Sequence, residues 1–229
     1  MIIKGLQKTT LLDFPGKVAC TVFTAGCNFR CPFCHNASLV ITQDDSAEIS
    51  EEEFFSYISK RKGILDGVCI TGGEPMMAQG VVDFIKKVKD VGLLVKLDTN
   101  GTFPEKLEFL LDNKLVDYVA MDIKNSKEKY AMTAGIKNLP SSIEKSINII
   151  MTKAPDYEFR TTVVKEFHTP QDIVEIAEWI QGAKHYYLQT YTDSGDILCD
   201  GNSAYNESEM LEILENTRKI LPITALRGI

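Results

Sequence analysis

The sequence has no apolar run approaching the roughly 18 residues that a membrane span needs, and Met1-Ile2-Ile3-Lys4-Gly5 lacks a signal-peptide pattern. A cytoplasmic protein with no membrane partner is expected. Positive charge is not in excess: 25 Lys and Arg stand against 32 Asp and Glu, a net charge of −7. That balance argues against a general nucleic-acid binder, which carries a basic face. The basic groups Lys60-Arg61-Lys62 and Lys86-Lys87-Lys89 read as solvated sides of helices. Histidine is scarce, with only His35, His168 and His185, so neither a hydrolytic triad nor a multi-histidine metal site is expected. His168, before Thr169-Pro170, is expected to be solvent-exposed and structural. No GxGxxG, phosphate loop or GxSxG occurs. Prolines and glycines are few (8 and 15) and 44% of residues are hydrophobic, which suits a substantial buried core and excludes disorder.

What the chain does have is cysteine in one place. Six cysteines in 229 residues make no disulfide framework. Three of them, Cys27, Cys31 and Cys34, are spaced CxxxCxxC after the apolar run Val18–Thr24. Clustered loop thiolates suit a soft metal ion or an iron–sulfur cluster. A closed structural site takes four ligands, so three leave one iron free to bind something that is not protein. Cys20 and Cys69 lie in apolar runs and read as small buried residues. Cys199, in a polar loop, receives no role.

The remainder alternates strand and helix. Strands are expected at Val18–Thr24, Gly63–Thr71, Leu93–Leu97, Leu115–Met121, Phe159–Val164 and Tyr186–Thr190. Thr42–Ser50 reads as a polar loop, and Ser50 with Glu53 as a capping box opening a helix. Further helices follow over Val81–Val88, Pro104–Asp112, from Pro140, over Ile173–Ile180 and over Glu207–Ile220, before a short apolar tail. Six alternations with short connections indicate parallel βαβ units. A partial (β/α)6 barrel, mostly parallel and forming one domain over residues 1–229, fits better than a complete eight-unit barrel.

Polar residues collect where these strands end. The second strand leads into Thr71-Gly72-Gly73-Glu74-Pro75, the third into Asp98-Thr99-Asn100, and the fourth into Asp122 and Lys124. In parallel α/β folds the carboxyl ends of the strands form the ligand crevice. Gly72-Gly73 would let backbone approach a ligand closely. Glu74 could accept from an ammonium group, Asp98 and Asp122 could pair with cations, and Lys124 could neutralise a carboxylate.

CxxxCxxC with Phe33 before the third cysteine, followed by Gly72-Gly73-Glu74-Pro75, resembles the radical S-adenosylmethionine (SAM) enzymes. Cys34-His35-Asn36 narrows the resemblance to glycyl-radical activases. Leu11–Lys17 together with Phe23–Cys27 look most like the activating proteins of anaerobic ribonucleoside-triphosphate reductase. The resemblance covers nearly the whole chain. It implies that Cys27, Cys31 and Cys34 ligate one 4Fe–4S cluster, whose open iron chelates the amino and carboxylate groups of S-adenosylmethionine. It places Phe33, Cys34 and His35 beside the adenosyl part and Gly72, Gly73 and Glu74 at the methionine amino group. Asp98, Asp122 and Lys124 then surround the methionine carboxylate, with a monovalent cation near the two aspartates. Reductive cleavage would yield a 5′-deoxyadenosyl radical that takes a hydrogen atom from a glycine of a partner enzyme. A flavodoxin- or ferredoxin-type donor would supply the electron. The chain departs from the pattern after the sixth strand: some activases place a histidine there, where this sequence reads Gln189-Thr190-Tyr191-Thr192. Two rival readings are a radical enzyme acting on a nucleoside-type metabolite, and a structural zinc module using Cys27, Cys31, Cys34 and His35.

Overall fold

The computed structural model describes residues 1–41 and 48–228, so most of the expected loop Thr42–Ser50 lies outside the described residues. Among the described residues, eight strands form one open sheet whose spatial order is their chain order: β1 Gly5–Thr10, β2 Ala19–Thr24, β3 Gly67–Gly72, β4 Leu94–Thr99, β5 Tyr118–Asp122, β6 Asp156–Val163, β7 Tyr186–Thr190 and β8 Thr224–Arg227. From β2 to β8 every neighbouring pair is parallel; β1 runs antiparallel along β2. Strands that are neighbours in both sequence and space build a progressively wound, mostly parallel sheet.

All six expected strands are present; the sixth keeps its expected bounds, Tyr186–Thr190, and the other five shift at one or both ends. β3 begins at Gly67 because Arg61–Leu65 is a turn, with the Ile64 N–H donating to the Arg61 carbonyl at 2.9 Å. β1 and β8 were not expected. β1 keeps three of its six residues exposed and so lacks an apolar signal, and β8 is only four residues long. Both are edge strands defined by pairing with a neighbour rather than by their own composition.

The helices are α1 Ala37–Ile41, α2 Glu51–Ser59, α3 Val81–Asp90, α4 Pro104–Asp112, α5 Tyr130–Ala134, α6 Ser141–Lys153, α7 Pro170–Trp179 and α8 Glu207–Arg218. The Ser50 side chain accepts from the Glu53 N–H at the start of α2, and Thr169 with Asp172 forms a full capping box on α7. Short α1 and α5 were not anticipated.

Period-two alternation places the strand residues on two faces. Val68 and Ile70, Val95 and Leu97, Val119 and Met121, and Tyr157 and Phe159 enter the apolar core. The residues between them include Thr71, Lys96, Asp98, Asp122, Glu158 and Arg160, which line cavities. The inner face of this sheet is thus largely polar and charged, and it positions the site.

Candidate functional site

The cysteine loop leaves β2 at Thr24 and is anchored by two aromatic rings. Buried Phe29 packs edge-on against Tyr130 of α5 at 6.3 Å, and buried Phe33 lies 5.6 Å from Phe167. Main-chain bonds complete the anchoring: Arg30 N–H to the Ala134 carbonyl at 2.9 Å, Gly26 N–H to the Leu39 carbonyl at 2.8 Å, and Cys34 N–H to the Cys31 carbonyl at 3.0 Å. Cys31 is buried, while Cys27 and Cys34 are half-buried. All three line one cavity of about 250 Å³ together with Gly72, Gly73, Asp98, Asp122 and Lys124. Two donors already face the Cys27 sulfur: the Phe29 N–H at 3.4 Å and Asn100 Nδ2 at 3.8 Å. Burial pushes the Cys31 thiol up to about 12 and raises Cys27, so binding a metal here must release protons.

Gly72 and Gly73 line the cavity, yet the close approach that requires them is to the protein's own backbone. A Cβ on Gly73 would collide with the Gly26 carbonyl, and one on Gly72 with the main chain of Thr24. Gly72 also takes φ +115°, in the region that favours glycine. The strand end and the cysteine loop are zipped by Gly73 N–H to the Thr24 carbonyl (2.9 Å) and Glu74 N–H to the Gly26 carbonyl (2.8 Å).

Glu74 does not line the cavity and is fully buried. Its Oε1 accepts from the Met76 N–H at 3.1 Å and the Thr99 hydroxyl at 3.0 Å, and its Oε2 from the Asn100 N–H at 2.6 Å. The carboxylate clamps the end of β3 to the end of β4. Burial raises its pKa to about 7, against the pull of those three donors. Asn100 carries the connection onward, its Nδ2 donating to Asn28 Oδ1 at 2.9 Å beside the cysteines.

The opposite wall is ionic. Arg160 of β6 donates through Nε to Asp122 Oδ1 at 2.9 Å and through Nη1 to Asp98 Oδ2 at 3.2 Å. Lys96 bonds Asp98, and Lys124 reaches Asp122 Oδ2 at 3.1 Å. Burial alone would raise both aspartates; Arg160 with Lys96 at Asp98, and Arg160 with Lys124 at Asp122, hold them below the usual range. Burial likewise opposes the Lys124 charge, and Asp122 more than restores it. Lys96, Arg160, Lys124 and Arg227 set four cations against the three carboxylates of Asp98, Asp122 and Glu158 here. The surplus positive charge suits an anionic ligand group.

His35 sits exposed at the mouth, its ring edge-on to Tyr191 at 5.5 Å. Gln189 lines the cavity, whereas Thr192 is exposed and does not. His168 is fully buried, contrary to the exposed position expected of it. Its Nδ1 accepts from the Val164 N–H at 3.2 Å and its Nε2 lies 2.7 Å from the Lys124 carbonyl. The imidazole braces the main chain that carries Lys124, and burial keeps it neutral by lowering its pKa.

Arg160 and Lys96 were missed in the sequence. The available signal was charge at alternate positions within strand-like runs: Lys96 and Asp98, then Glu158 and Arg160, each pair two apart and so on one face. Among the described residues, no three His, Cys, Asp or Glu side chains are grouped to hold one metal ion. Thiolates of a 4Fe–4S cluster bind different irons and need no such convergence. Three cysteines on one cavity, one sulfur already facing two donors, and an adjoining cationic surplus fit a cluster with an attached anionic ligand.

The chain can now be set beside known proteins. The sequence profile of the Radical SAM superfamily matches residues 21–180. A glycyl-radical enzyme activating enzyme of Methanocaldococcus jannaschii is 30% identical over all of this chain and 96% of its own length. A 7-carboxy-7-deazaguanine synthase of Clostridium acetobutylicum is 28% identical over 67% of this chain and 68% of its own. In fold, Streptococcus suis SuiB, solved bound to S-adenosylmethionine, superposes with a TM-score of 0.71 at 14% identity, covering 90% of this chain and 49% of that one. The cysteine loop at the end of a parallel strand, the profile match and the full-length relative agree: the chain belongs to the radical SAM superfamily, in its glycyl-radical enzyme activating group.

Proposed function

We propose that this chain activates a glycyl-radical enzyme, the anaerobic ribonucleoside-triphosphate reductase, using a 4Fe–4S cluster and S-adenosylmethionine. The observation that carries the proposal is the shared cavity, in which three cysteines from one loop meet Asp98 of β4, Asp122 of β5, Lys124 just beyond it and Arg160 of β6. Cys27, Cys31 and Cys34 would hold the cluster. When bound, cluster and S-adenosylmethionine supply one-electron reductive cleavage and hydrogen-atom abstraction from a glycine.

The chain's own residues bind and orient. Gly72 and Gly73 line the cavity next to the cysteines; Phe33, Cys34 and His35 would hold the adenosyl part, and Lys124 with Arg160 would bind the methionine carboxylate. Glu74 contributes indirectly, by fixing the Asn100 loop against Asn28. Gln189 is the residue in reach where some activases use histidine. A monovalent cation at Asp98 and Asp122 would have to share both carboxylates with Arg160. Exchanging potassium for sodium should therefore leave cofactor affinity within about twofold; a larger change would restore the ion to the site. A flavodoxin- or ferredoxin-type protein is the proposed electron donor.

The deazaguanine-synthase relative favours the second reading, a radical enzyme acting on a nucleoside-type metabolite. One experiment separates the two. Anaerobically reconstituted protein is given reductant, S-adenosylmethionine and the reductase, and a glycyl radical is sought by electron paramagnetic resonance. Its appearance on the reductase supports activation. Cofactor cleavage stimulated only by a small nucleoside, with no protein radical, would support the other reading. Metal analysis that finds zinc without iron or sulfide would end both.

A further inference from the structure

We propose that Arg227, near the end of the last strand and outside the cavity that holds the cysteines, is a positioning residue for cofactor binding. It acts through Glu158 on Arg160. The inference rests on the reading that Arg160 faces the carboxylate of S-adenosylmethionine.

β6 places Glu158 and Arg160 two residues apart on the inner face of the sheet. Glu158 is 1% exposed, so its charge must be met inside the protein. Arg227 meets it as a fork, with Nη1 on Oε1 and Nη2 on Oε2, both at 2.7 Å. The Tyr118 hydroxyl adds one bond to Oε2 at 2.9 Å. The Arg227 guanidinium also lies 3.4 Å from the centre of the Tyr187 ring, which fixes its plane.

Arg160 stands among three carboxylates. It hydrogen-bonds Asp98 and Asp122, yet its Nη1 is only 3.9 Å from Glu158 Oε1. What keeps it turned toward the cavity is that Glu158 is already satisfied by Arg227. Remove the fork, and a buried carboxylate is left with one neutral donor and a guanidinium slightly beyond hydrogen-bond range. Lys96, the other nearby cation, is committed to Asp98 on its own strand. Arg160 is then drawn to Glu158, away from Asp98 and Asp122, and the cofactor loses a donor. On this argument β8 sets the charge geometry of a cavity that Arg227 does not line.

The test uses cluster-loaded protein carrying Arg227→Met, Glu158→Gln, or both. S-adenosylmethionine affinity is read from the change it causes in the electron paramagnetic resonance of the reduced cluster, with iron content and thermal unfolding measured alongside. Arg227→Met should weaken binding about tenfold, the effect of losing one charge-assisted contact, with iron unchanged. The double variant removes the carboxylate that diverts Arg160 and should return affinity to within about twofold of the parent. Arg227→Lys, which keeps the charge but loses the fork, should fall between. Unchanged affinity in Arg227→Met, or a double variant as weak as the single, overturns the positioning role and makes Arg227 merely structural. Failure of the parent holoprotein to bind S-adenosylmethionine would instead overturn the underlying cofactor reading.

Discussion

The two walls of the cavity are built on opposite plans. The wall carried by β2, β3 and the end of β4 is held mostly by the main chain and by short polar side chains: Gly73 on Thr24, Glu74 on Gly26, and Asn100 on Asn28. The wall carried by β4, β5 and β6 is held by charge, with Arg160 bridging Asp98 and Asp122 and a lysine on each aspartate. The first plan fixes positions, since backbone bonds and glycine contacts tolerate little displacement. The second fixes a potential, since ion pairs can re-partner while preserving net charge. A cluster's ligands need the first kind of support and an exchangeable charged ligand is served by the second.

That contrast can be broken most severely at the cysteines. Replacing Cys27, Cys31 or Cys34 with Ala should abolish reductive cleavage of S-adenosylmethionine, assayed as 5′-deoxyadenosine; retained turnover in all three variants would refute the ligand assignment. Gly73→Ala tests the main-chain wall itself. Its Cβ would collide with the Gly26 carbonyl, so overpacking of about 1–3 kcal/mol is expected. Iron loading should fall with stability, as seen by urea unfolding and metal analysis. Asp98→Ala tests the ionic wall. Arg160 and Lys96 lose a shared partner, so cofactor affinity should drop roughly tenfold while iron content stays intact. Loss of iron there would show that the two walls are not separable.

Glu74 sharpens the comparison through pH. Its carboxyl titrates near 4.5 when free and at about 7 in the fold. Between those values the folded chain binds more proton than the unfolded one, so stability falls as pH rises from about 4.5 to about 7, by roughly 3 kcal/mol in all. Glu74→Gln has no such proton to lose, and the slope of stability against pH should flatten in urea unfolding of the cluster-free protein. An unchanged slope would mean that Glu74 is ionised throughout that window.

The main-chain wall was the readable one. Cys27–Cys34 and Gly72–Glu74 are each contiguous in sequence, so their chemistry is visible without knowing what lies across the cavity. Even there, part of the reason for two glycines is tertiary: they admit the main chain of Thr24 and Gly26, which no local pattern reveals. Glu74 looked like a ligand contact because a carboxylate after a glycine pair resembles one; its burial behind the Asn100 loop is a tertiary fact. The ionic wall was half readable. Asp98, Asp122 and Lys124 stand at strand ends, where polarity is conspicuous, whereas Lys96 and Arg160 lie within strands and looked incidental. His168 reads as an exposed loop residue because Thr169-Pro170 follows it; the Lys124 carbonyl that its ring meets comes from 44 residues away.

By itself the sequence determined the alternation of strand and helix, the cysteine loop and the family to which both point, because apolar period and ligand spacing are local properties of a chain. Which carboxylate meets which cation, and that the last strand reaches back to the charges beside the site, was decided only by the tertiary structure. Parallel winding brings residues from β4, β5, β6 and β8 onto one inner face, where low dielectric makes each pairing depend on all the others.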